Sequence, residues 1–131
     1  MTISGSGEVE VGELDVDSIE IRVSGSGDLR VDRLTATTLN SRITGSGEVE
    51  IGGEVGSQEI RVSGSGDHIA PDLQSETVAA RVAGSGSVDV WVTDELQANV
   101  SGSGDIIYRG DPEVSSRISG SGEVERRGLH L

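Results

Sequence analysis

The sequence predicts an all-β fold, a parallel β-helix or β-solenoid of about seven coils of ~20 residues each, and three observations predict it. First, the tripeptide Gly-Ser-Gly recurs seven times, starting at Gly5, Gly25, Gly45, Gly64, Gly84, Gly102 and Gly120, at spacings of 20, 20, 19, 20, 18 and 18 residues. Second, apolar residues stand at fixed offsets of one parity from each triplet, as a strand with one buried face requires. Third, hydrophobic residues make up 33% of the chain, with no Phe, one Trp and one Tyr. That is too little for a bulky globular core but enough for a thin interior of stacked Val, Ile and Leu. Of the twenty glycines, fourteen belong to the triplets, so the glycine is architectural. Residues 1–131 read as one solenoid domain, with no helix and no internal boundary.

Taken along one coil, the first element is an apolar column six residues before the triplet: Ile19, Leu39, Val78, Leu96 and Val114, broken by Gln58. Two residues before the triplet stand Val23, Ile43, Val62, Val82, Val100 and Ile118. The triplet follows, and the same parity places both its glycines inward, where a missing Cβ marks a bend or a close approach of two backbones, read as the opposing walls of a flattened coil. Four residues after it come Val9, Leu29, Val49, His68, Val88, Ile106 and Val124, then Val11, Val31, Ile51, Ala70, Val90 and Tyr108 two further on. The β-branched residues favour strand over helix. Turn signals fall between triplets at Gly12-Glu13, Gly52-Gly53, Pro71-Asp72, Gly110-Asp111-Pro112 and Gly128. Asp67 to Ser75 is the least regular stretch, and there Ile69 is expected to replace His68 on the inner face.

The opposite parity faces out. A serine occupies the middle of each triplet, among them Ser26, Ser46 and Ser65, and the residue before it is serine except at Thr44 and Ala83. Three residues before it run Arg22, Arg42, Arg61, Arg81 and Arg117, and three after it Glu8, Asp28, Glu48, Asp67, Asp105 and Glu123. Coils stacked at ~4.8 Å would align these as an arginine ladder and a carboxylate ladder on either side of a hydroxyl stripe.

With 23 acidic against 10 basic residues the formal net charge is −13. Such a field repels nucleic acid and anionic membrane surfaces, and excludes both as partners at this level of reading. There are no cysteines, hence neither disulfides nor thiolate metal sites. No apolar run approaches the ~20 residues that span a bilayer. Met1-Thr2-Ile3 leads directly into the first triplet with no room for a signal peptide. The expectation is either a protein that is not exported or, favoured by the start inside a repeat, a mature or trimmed segment carrying an added Met.

The serial (V/I)-S-G-S-G-(D/E)-(V/L/I) units resemble the head GIN domain family of bacterial cell-surface proteins across essentially the whole chain. Ser101 through Pro112, S-G-S-G-D-I-I-Y-R-G-D-P, is similar to the closing repeats of that family. The resemblance implies a right-handed coil, an extracellular or cell-surface location, a predicted adhesin role and no established enzymatic activity. The chain departs from the family pattern in lacking a signal sequence and N-terminal lead-in strands.

Candidate sites each have a bland and a sharp reading. Asp28, Glu48 and Asp67 are the candidates for Ca²⁺, since like charges ~4.8 Å apart in water repel by about 0.9 kcal/mol and a hard cation relieves this. The bland reading is screening by counterions and arginines, and no other cofactor is expected. The arginines pair with acids such as Glu20 and Glu59, or form a strip for anions or uronates. Ser26, Ser46 and Ser65 bind a glycan or another solenoid, or simply suit a tight, glycine-backed strand. Trp91, at an outward position, and Tyr108, one coil later in the adjacent column, are candidates for stacking on sugar or a protein partner, or else cover the C-terminal coils. Only His68 and His130 are near-neutral bases, no cysteine nucleophile exists, and no carboxylate pair stands out as acid and base, so no catalytic residue is assigned. The reading is a non-enzymatic, adhesin-like structural domain that binds a surface glycan or protein. The alternative is a subunit that stacks end to end on itself into oligomers or filaments.

Overall fold

The structure, a computed structural model, describes residues 2–126. Every described element is a strand: β1 (Thr2–Gly5), β2 (Glu8–Asp15), β3 (Ser18–Gly25), β4 (Asp28–Gly45), β5 (Glu48–Gly64), β6 (Asp67–Gly84), β7 (Ser87–Gly102), β8 (Asp105–Arg109), β9 (Glu113–Gly120) and β10 (Glu123–Arg126). All pair in parallel, and the chain winds into a β-solenoid of about seven turns. The central strands β4 to β7 each trace almost a whole coil. Toward the ends the coil divides: β2 and β3 lie on the two halves of β4, and β8 and β9 on the two halves of β7.

The register is that of the sequence repeat. Gly25, Gly45, Gly64, Gly84, Gly102 and Gly120 follow one another from coil to coil. Where coil length varies, the slack is taken up at a second corner, where the register shifts between Val31 and Leu34, Glu50 and Gly53, and Ala70 and Gln74, with a further shift between Ser75 and Thr77. Two of these shifts coincide with the Gly52-Gly53 and Pro71-Asp72 turn signals. The interior is a stack of aliphatic columns, with Val23, Ile43, Val62, Val82 and Val100 in one and Leu29, Val49, Val88 and Ile106 in another, all buried. Each such side chain contributes about 1.5–3 kcal/mol on leaving water.

Two expectations need correction. The triplet is a corner whose two glycines do not both face inward. Its first glycine has a positive φ, +104° at Gly45, and lies toward solvent; only the second, such as Gly47, is buried. A Cβ on Gly45 would stand 2.6 Å from the Gly25 carbonyl oxygen, and one on Gly47 would stand 2.5 Å from both the Gly27 oxygen and a Val23 methyl. The close approach that demands glycine is therefore between successive coils, not between opposing walls. Second, His68 stays on the inner face, fully buried, and Ile69 is the half-buried neighbour. The register holds, with Val49 paired to His68 and His68 to Val88, because the irregularity begins only after Ala70. Gln58, the polar break in its column, is buried with the rest.

Candidate functional site

The outer surface is organised around the triplet corner. The amide of the corner serine donates to the preceding coil's glycine carbonyl, at 3.0 Å for Ser26 to Gly5, 2.9 Å for Ser46 to Gly25 and 3.0 Å for Ser65 to Gly45. These bonds fix the backbone, so the three exposed serines stand one above another.

On the strand entering the corner, Arg22, Arg42, Arg61 and Arg81 are in register on four consecutive coils, followed by Asn99 and Arg117. Arg22 pairs with Glu20 at 2.7 Å and Arg61 with Glu59 at 3.7 Å, two residues back on the same face. Arg42 and Arg81 have Asn40 and Ala79 at the corresponding positions. Both ion pairs are exposed, and pairs of this kind contribute about 0–1 kcal/mol. A shallow groove of about 410 Å³ crosses this face over Thr38, Asn40, Ser57, Thr77 and Gln97.

On the strand leaving the corner, Glu8, Asp28, Glu48 and Asp67 are in register, with Ser87 next and then Asp105 and Glu123. Partial burial, and then the like charges of Asp28, Asp67 and Glu50, raise the Glu48 carboxyl above its ordinary value. Ser87 interrupts the ladder and donates its hydroxyl to Asp67 at 2.8 Å. Among the described residues no group of three or more His, Cys, Asp or Glu is gathered so as to hold a metal ion. The Ca²⁺ candidates Asp28, Glu48 and Asp67 thus form a line of neighbours and not a cage.

Trp91 is half-buried, in register with Gln74 on one side and Arg109 on the other. Tyr108 is paired with Val90 and packs partly buried against the core. Strand alternation sends the two rings to opposite faces, so they do not make one aromatic patch. Below Trp91 in the chain, Asp89 holds Arg109 at 3.6 Å.

His68 is sealed inside, and burial lowers its imidazole to about 4. Its ring nitrogens meet Ser41 Oγ at 3.3 Å and Gln58 Oε1 at 3.2 Å. The Gln58 amide donates to Ser75 Oγ, which donates in turn to the Leu73 carbonyl at 3.3 Å. A base in this position reaches no solvent-borne substrate. His130 lies outside the described residues. The sequence singled out Gln58 and His68 as oddities of their columns but not Ser41 or Ser75. Ser41 carried the same signal, a polar residue at an inward offset, whereas Ser75 stands at the parity that counting from the triplet assigns outward and carried none.

Comparison with known proteins places this geometry. The sequence profile of the family described as "Putative auto-transporter adhesin, head GIN domain" matches residues 1–112. A "putative adhesin" from Parabacteroides distasonis is 34% identical, with a TM-score of 0.93 over 95% of this chain and 53% of that one. A second, from Parabacteroides merdae, is 27% identical with a TM-score of 0.94 over 95% and 53%. A "putative lipid binding protein" from Parabacteroides distasonis is 31% identical, with a TM-score of 0.79 over 95% and 60%. The chain thus spans about half the length of the first two structures. No curated protein matches it. With the triplet corner, the parallel register and the sequence match in agreement, the chain belongs to the head GIN domain family.

Proposed function

We propose that this solenoid is a non-enzymatic structural and adhesive module of a bacterial cell surface, which binds a surface glycan or protein through its repetitive flank. The observation that carries the reading is the pair of in-register ladders, arginine before the corner and carboxylate after it, separated by exposed serines. A polymer or a second repetitive surface meets the same chemistry on successive coils, from Arg22 to Arg81 and from Glu8 to Asp67, so many weak contacts act together. The sealing of His68 away from solvent and the linear spread of the carboxylates also favour binding over catalysis.

Binding to an array of immobilised surface glycans tests this, with wild type compared against Trp91→Ala and against Arg42→Ala/Arg81→Ala. Affinity that falls in either variant, with both folded and monomeric, supports the adhesive reading. A second reading, self-assembly through the solenoid end, is favoured by β9, where Val114 and Ile118 are exposed. A blank array together with a molar mass that grows with concentration would transfer the function to assembly.

A further inference from the structure

Among the described residues the buried polar side chains are Ser41, Gln58, His68 and Ser75, and they form one hydrogen-bonded cluster. Each interrupts a column that is apolar above and below. Ser41 stacks between Ile21 and Ile60, Gln58 between Leu39 and Val78, His68 between Val49 and Val88, and Ser75 between Val55 and Val92. Four aliphatic residues would fill these positions at no cost in burial, so hydrophobic packing does not account for them.

We propose that this cluster is a register lock, fixing which residue of one coil stacks on which residue of the next. A solenoid of near-identical coils needs one. A strand displaced by two residues keeps every inward side chain inward, so the alternation that rejects a one-residue slip is blind to it. The triplet corner resists such a slip, but the second corner already absorbs coils of different length through its register shifts. The cluster spans that weak point. Gln58 precedes the triplet at Gly64, His68 follows it, Ser75 lies beyond the shift between Ala70 and Gln74, and Ser41 belongs to the coil before. A two-residue slip carries Ser75 about 6.6 Å along its strand, out of reach of Gln58. Each buried polar group so orphaned disfavours the slipped register by about tenfold or more.

The absence of native cysteine makes the register directly readable by cross-linking. Glu54 pairs with Gln74 in the native register, whereas Glu76, two residues on, lies diagonally beyond the reach of a disulfide from position 54. Two double variants, Glu54→Cys/Gln74→Cys and Glu54→Cys/Glu76→Cys, are refolded from urea under oxidising conditions. This is done with the native cluster and with an apolar cluster, Ser41→Ala/Gln58→Leu/His68→Leu/Ser75→Ala. The lock predicts that only the 54–74 bridge forms with the native cluster, and that the 54–76 bridge rises about tenfold or more with the apolar one. A 54–76 yield equally low in both backgrounds overturns the proposal, whatever happens to the midpoint of unfolding. Should the fourfold variant not fold, Gln58→Leu alone severs His68 from Ser75 and is read by the same two bridges against the same criterion.

Discussion

His68 shows what one buried side chain does to stability. Its imidazole is lowered from 6.5 to about 4 by burial alone, and no other ionisable side chain is buried with it among the described residues. Between those values the unfolded chain takes up a proton that the native state refuses. The His68 contribution is therefore complete above about pH 6.5 and is lost as the pH falls toward 4, by about 3 kcal/mol in all. Urea unfolding of wild type and His68→Leu at pH 7 and pH 4.5 isolates this. The variant is less stable at pH 7, since Ser41 and Gln58 lose a partner, but its stability falls less on acidification. Parallel pH dependence in the two proteins would refute the assignment. Glu48 obeys the opposite sign. Its carboxyl is raised by partial burial and by the charges of Asp28, Asp67 and Glu50, so the ionised form destabilises the native state, and the penalty fades as the pH falls through the raised value. Glu48→Gln is expected to gain about 0.5 kcal/mol at pH 7 after solvent screening, to gain less in high salt, and to gain nothing in acid.

At the scale of the element, the triplet corner is the unit that repeats. A Cβ on Gly66 would meet an Ile43 methyl at 2.5 Å and the Gly47 oxygen at 2.7 Å, both belonging to the preceding coil. Gly66→Ala must displace backbone as well as a side chain, and is expected to cost about 2–3 kcal/mol in thermal or urea unfolding. Ser65→Ala, at the exposed middle of the same corner, is expected to change stability by less than about 0.5 kcal/mol. Much of this element was legible in the sequence: spacing of the triplets, parity of the apolar columns and both charged ladders follow from counting. The conformation of the first glycine was not. Parity counting puts both glycines inward, whereas a φ of +104° at Gly45 turns the chain and leaves that glycine toward solvent, while Ile43, Gly47 and Val49 keep the inward parity. His68 was misjudged for a related reason. A polar residue at an inward offset reads as an irregularity until its partners are known, and Ser41, Gln58 and Ser75 lie on strands that only the coil stacking brings together.

For the molecule as a whole, the question is whether its sides or its ends make contact with other molecules. The net charge of −13 opposes lateral approach of two copies, most strongly at low salt. The end is different in kind. Strand β9 pairs with β7 and shows Val114 at 36% and Ile118 at 43% exposure, the large apolar side chains left accessible among the described residues. In each earlier coil the residues of these two columns are covered by the coil that follows, as Val100 is covered by Ile118 itself. Parallel stacking of another copy would continue the ladder and bury the same columns. Light scattering over a range of protein concentrations, at low and moderate salt, decides the matter. Assembly predicts a mass that climbs above 13.5 kDa with concentration, climbs more readily once salt screens the charge, and stays at the monomer in Ile118→Lys. Because Ile118 is already exposed, that substitution leaves the fold intact and tests the contact alone. A wild-type mass constant at 13.5 kDa assigns recognition to the sides, where the arginine and carboxylate ladders flank the serine corner.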